Sequence, residues 1–134
     1  DLTALNAKVR TRLGDSRDAL RDDAQASWLF GTHGPFWYRG YFYAPRASSD
    51  EIDAQLKQFA VERIVVGHTT RGEIISLYGG RVIGIDAELK EGVRGELLLW
   101  ENNQLQRGLL DGSRLPLPPG DDDGSGKLPP SKND

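Results

Sequence analysis

The chain has 134 residues, enough for one hydrophobic core. Seventeen basic residues against 20 acidic ones give a net charge of −3, which excludes a nucleic-acid binder driven by electrostatics. No apolar run approaches the roughly 18 residues of a membrane span, and without cysteine this chain can supply no disulfide, thiolate metal site or cysteine nucleophile. The cysteine-free composition leaves the compartment open, cytoplasmic or periplasmic. Methionine is also absent, including from position 1. The chain is therefore expected to be a piece of a longer protein or to have lost an N-terminal segment.

Residues 3–13 carry Leu5, Val9 and Leu13 at spacings of four, a helix stripe with Thr3 as N-cap. Gly14 ends or bends it, and 16–24 form a second short helical stretch. The segment 29–47, rich in aromatics and glycine, shows neither period and is expected to be a structured loop. Ser48 and Glu51 have the spacing of a capping box. Ile52, Leu56 and Phe59 then mark a helix of about three turns. After that the period changes. Arg63–Val66 has the pattern of a buried strand ending in Gly67-His68. Glu73–Leu77 and Arg81–Ile85 flank Tyr78-Gly79-Gly80, and Gly95–Trp100 and Gln104–Leu109 flank Glu101-Asn102-Asn103, two hairpins. Helices first and mostly antiparallel strands afterwards define α+β, or the second half of an α/β sandwich. The segment 116–134 is dominated by proline, glycine and acid, with only Leu117 and Leu128 as leucines, and is expected to be a disordered tail.

Two segments carry candidate chemistry. A strand ending in Gly67-His68 puts an imidazole at the carboxyl end of a sheet, where ligand sites of open α/β sheets lie. Imidazole suits a divalent transition metal; the plainer reading is a histidine hydrogen-bonded to its loop. The second segment is Gly34-Pro35-Phe36-Trp37-Tyr38-Arg39-Gly40-Tyr41. Stacking among aromatics would hold the Arg39 guanidinium ready to fork onto a phosphate. The plainer reading makes Arg39 part of a structural salt bridge over an aromatic mini-core.

In this order, Gly34–Tyr41, Ile64–Thr69, Tyr78–Gly80 and Ile85-Asp86 resemble the C-terminal part of the calcineurin-like metallophosphatases, in the branch known as Shewanella-like protein phosphatases. The resemblance covers about 1–115. It implies the C-terminal part of a four-layer α/β/β/α sandwich, a pair of divalent ions (manganese, iron or zinc) and hydrolysis of phosphomonoesters, phosphoproteins among them. By position, it implies that His68 is a metal ligand and catalytic residue and that Arg39 binds the substrate phosphate. His33 matches no assignable position. The family's Asp-x-His and Gly-Asn-His-Glu metal segments do not occur here, and the strand ending reads Ile85-Asp86-Ala87-Glu88.

One imidazole cannot fix a cation, so the chain alone is expected to bind no metal stably and to be inactive. Gly14-Asp15-Ser16-Arg17-Asp18 fits a Gly-Asp-x-x-Asp metal motif literally, but its helical period marks a surface helix break. Asp121-Asp122-Asp123 lacks the ligand spacing of a calcium loop and reads as solvated charge. The alternative function is a non-catalytic binding or scaffold module derived from a phosphatase half. Its partner surface would be Phe36, Trp37, Tyr38, Tyr41, Phe42 and Tyr43. Association through these aromatics or through the strand edge at Arg63–Val66 is expected.

Overall fold

A computed structural model of the chain describes residues 1–92, 94–120, 123–125 and 128. They divide into two compact units, Asp1–Gly40 and Tyr41–Asp134.

The first unit contains three short helices, α1 (Leu2–Arg10), α2 (Arg17–Asp22) and α3 (Ala24–Phe30). The cap of α1 is Asp1 rather than Thr3: its carboxylate accepts from the Ala4 N–H at 2.8 Å. The helix stops at Thr11, so Val9 is buried while Leu13 lies outside the stripe and is exposed. Gly14-Asp15-Ser16 is the surface break expected of it. Asp15 pairs with Arg12 at 2.9 Å, and the Ser16 hydroxyl caps α2 through the Ala19 N–H. Asp23 ends α2 in an extended conformation and caps α3, accepting from the Ala26 N–H at 2.8 Å. That hydrogen bond holds the Asp23 carboxyl below its usual range. Helix α3 occupies positions on both sides of the expected loop start at 29, and buries Ala26 and Leu29.

The second unit begins with the aromatic chain 41–47 and helix α4 (Ser49–Phe59). The capping box forms as its spacing predicts: the Ser48 hydroxyl accepts from the Glu51 N–H, and the Glu51 carboxylate accepts from the Ser48 N–H at 2.7 Å. Ala60 closes the helix in the left-handed region. Six short strands follow: β1 (Ile64–Val66), β2 (Ile75–Leu77), β3 (Val82–Gly84), β4 (Glu96–Glu101), β5 (Gln104–Leu109) and β6 (Arg114–Pro116). One sheet has the order β1-β3-β2, with β1 parallel and β2 antiparallel to β3. The other is the antiparallel meander β4-β5-β6. Asn102 and Asn103, both at positive φ, make the two-residue turn between β4 and β5.

Strand alternation explains the layering of this unit. Val82 and Leu77 join Ile52 and Leu56 of α4, with Phe42, Ala47 and Tyr78, in one buried cluster. Ile83, pointing the other way, joins Ile74 and Ala87, with Leu98, Leu105 and Leu117 of the second sheet region packed on them. The first sheet is thus covered by α4 on one face and by the second sheet on the other. This is a mixed α+β architecture with small sheets. The expected strand at 63–66 forms, but as an edge: among the described residues β1 pairs with β3 alone, and Val65 is 51% exposed.

A charged tie fastens the two sheets. Arg107 on β5 donates to both oxygens of Glu96 on β4, at 2.7 and 2.5 Å, and to Glu73 at 2.8 Å. Glu96 also accepts from the Ile74 N–H at 2.9 Å, just before β2.

The segment beginning at 116 makes several contacts at the residues described. Pro116 lies in β6, and the Leu117 N–H donates to the Leu105 carbonyl. The Ser76 and Ser49 hydroxyls donate to the carbonyls of Pro119 and Asp123, at 2.9 and 2.8 Å. Leu128 packs on the first cluster. Composition misses this because the anchoring groups are backbone carbonyls and one leucine. Truncation before Pro118 is therefore expected to lower stability by about 2 kcal/mol, the scale of two hydrogen bonds and a partly buried leucine. Urea unfolding of the truncated and full chains measures it; equal midpoints would return the segment to the status of a dispensable tail.

Candidate functional site

Because β1 and β3 are parallel, their carboxyl ends adjoin, and the Ile85 N–H donates to the Val66 carbonyl at 2.9 Å. The turn Gly67–Arg71 leaves β1, and Ile85–Glu88 leaves β3. His68 sits exposed in this turn with φ 65°, a left-handed conformation that costs a side-chain-bearing residue energy and that histidine adopts more readily than most. Thr69 behind it is only 5% exposed, and its hydroxyl has no hydrogen-bond partner among the described residues. The Thr70 hydroxyl donates to the Asp86 carboxylate at 3.2 Å, and the Arg71 N–H to the Asp86 carbonyl at 3.0 Å. Thr70 and Asp86 carry no sequence signal as partners: they stand 16 positions apart, and only the parallel register brings them together.

Arg39 lies in the other unit, Asp1–Gly40. Its segment is wound tightly after α3. The Gly34 N–H donates to Gly31, and the Trp37 and Tyr38 N–H groups donate to the Gly34 carbonyl. A side chain at Gly34 would collide with the Trp28 and Leu29 carbonyls, which explains glycine there. Phe36 stacks on Phe30 with centroids 5.4 Å apart. The Arg39 guanidinium lies 5.7 Å from the Trp37 ring centroid and donates to the Tyr38 carbonyl at 3.4 Å. Among the described residues no carboxylate pairs with Arg39, so the salt-bridge reading finds no partner there.

A divalent ion does not fit the described residues alone. They contain no group of three or more histidine, aspartate or glutamate side chains able to hold one. His68 stands as a single candidate ligand, and His33 is exposed in the turn before Gly34. Of the acids 121–123, Asp121 and Asp122 lie outside the described residues. No helix among the described residues is long and apolar enough to cross a membrane.

The chain is similar to solved protein-tyrosine phosphatases. One is the cold-active protein-tyrosine phosphatase of a psychrophilic Shewanella species: 43% sequence identity, TM-score 0.81, covering 87% of this chain and 35% of that one. A second structure of a cold-active protein-tyrosine phosphatase matches at 42% identity with the same TM-score, covering 34% of its length. The chain thus spans about a third of the solved chains it matches. No family model matches, and no curated protein does. These structures correct the calcineurin-like metallophosphatase assignment drawn from Gly34–Tyr41, Ile64–Thr69, Tyr78–Gly80 and Ile85-Asp86: the solved chains are protein-tyrosine phosphatases. The segments behind that assignment are short.

Proposed function

We propose that this chain is part of a phosphatase acting on phosphomonoesters, with protein phosphotyrosine as the substrate class. The observation that carries the reading is the 43% identity with a protein-tyrosine phosphatase over 87% of the chain. Arg39 binds the phosphate: a planar guanidinium gives two parallel hydrogen bonds to phosphoryl oxygens, and Trp37 limits its freedom before binding. His68, at the carboxyl edge of β1, is a candidate metal ligand and catalytic residue within its own unit. In the longer protein the layers of the second unit become part of a four-layer α/β/β/α sandwich. Any metal pair in that protein would take His68 as one ligand and draw the others from outside the described residues. With no cysteine, the chain supplies no thiolate nucleophile either.

The test is equilibrium binding. The full chain should bind a phosphotyrosine peptide saturably, with inorganic phosphate competing, and should not hydrolyse p-nitrophenyl phosphate with added manganese above a His68→Ala control. Absence of phosphate-competed binding would overturn the phosphate-binding role. Turnover above the control would show that the chain holds a complete catalytic centre.

A further inference from the structure

We propose that Asp86 is a positioning residue that holds His68 in its left-handed conformation; the catalytic meaning of that conformation rests on the phosphatase reading above. A non-glycine residue at positive φ persists only where its surroundings over-determine it. The entry to the His68 turn is fixed by β1 itself, through the Val66 carbonyl and the Ile85 N–H at 2.9 Å. At the exit, Asp86 meets the turn through two groups. The Asp86 carboxylate accepts from the Thr70 hydroxyl at 3.2 Å, and the Asp86 carbonyl accepts from the Arg71 N–H at 3.0 Å.

Asp86 is itself immobilised. Its other carboxylate oxygen accepts from the Glu88 N–H at 3.3 Å, in a turn where Glu88 also has positive φ. The next residue, Ala87, is buried in the cluster formed with Ile74 and Ile83. The parallel register converts this rigidity into control of His68: β3, which runs into Asp86, is fully buried along Val82–Gly84, while β1 is an exposed edge. The firm strand positions the turn of the weak one.

The experiment is nuclear magnetic resonance on the isotopically labelled full chain. It reads the His68 amide–α-proton coupling and Cα shift, with the melting temperature as a control for global stability. Asp86→Ala and Thr70→Val should both move His68 away from its positive-φ signature while the resonances of Val82–Gly84 and the melting temperature stay near wild type. Asp86→Asn, which keeps an oxygen acceptor, should restore most of the signature. An unchanged His68 signature in folded Asp86→Ala or Thr70→Val protein would overturn the proposal. Should Asp86→Ala not fold, Thr70→Val decides, since it removes one hydroxyl from an exposed turn. Phosphotyrosine binding is measured separately on the wild type, so failure of the phosphatase reading shows there and leaves the His68 readout interpretable.

Discussion

Tyr78→Ala is expected to lower the stability of the chain by about 3–5 kcal/mol, the range for deleting a fully buried aromatic ring. Tyr78 has no solvent exposure and joins α4, the aromatic chain before it and β3 in one cluster. Its hydroxyl donates to the Ala47 carbonyl at 2.9 Å, and the Arg46 guanidinium lies 5.0 Å from its ring centroid. Gly124 lies against the same ring, where any side chain would collide. Tyr78→Phe separates the contributions. It keeps the ring and leaves the Ala47 carbonyl without its donor, a loss of about 1–2 kcal/mol. Thermal unfolding should therefore rank wild type, Tyr78→Phe and Tyr78→Ala, with the last lower by about 10 °C or more. Equal melting temperatures for the two variants would show that the hydroxyl, and not the ring, carries the contribution.

Arg107→Met should cost about 3 kcal/mol, because it strands Glu96 and Glu73 at a sheet–sheet junction without their shared cation. Burial by itself would raise the Glu96 carboxyl. The hydrogen bonds from Arg107 and the Ile74 N–H, with the Arg107 charge, outweigh burial and hold it below the usual glutamate range. The Arg107 guanidinium is correspondingly raised, first by its hydrogen bonds to Glu96. For a carboxyl depressed in the folded state, the stabilisation is fully present above the unfolded value of about 4.3 and disappears as pH falls through the lower folded value. Wild type should lose this contribution on acidification, whereas Arg107→Met should lose less, having lost the tie already. Urea unfolding near neutrality and again in strong acid measures it; a gap between the two proteins that does not narrow in acid would contradict the assignment.

The parts of the fold that were legible in the sequence are those set by local chemistry. Ser48 and Glu51 announce a capping box, and the turns at Tyr78–Gly80 and Asn102-Asn103 announce hairpins; all three form. Helix α3 was not legible, because its cap is Asp23, the same residue that ends α2, so no linker separates the two helices. The docked positions after 116 were hidden for a different reason. Their hydrogen bonds run from Ser49 and Ser76 to backbone carbonyls, which composition does not weigh. At the site, Gly67-His68 at a strand end was visible by pattern, and so was the aromatic segment around Arg39. Asp86 was visible only as the end of a strand. Its grip on the His68 turn depends on β1 and β3 being neighbours in parallel, a non-local fact no spacing encodes. The family assignment failed where four short segments were asked to specify a whole protein.

Phosphoryl binding by Arg39 can be read in a phosphotyrosine titration of the labelled chain, followed at the Arg39 guanidinium. The Arg39 resonance should shift saturably. Arg39→Lys, which keeps the charge and loses the planar fork, should bind about tenfold or more weakly, as expected when charge-assisted hydrogen bonds worth about 1.5–3 kcal/mol are disrupted. An Arg39 resonance that ignores phosphotyrosine, or an Arg39→Lys variant that binds it as tightly as wild type, would contradict the account.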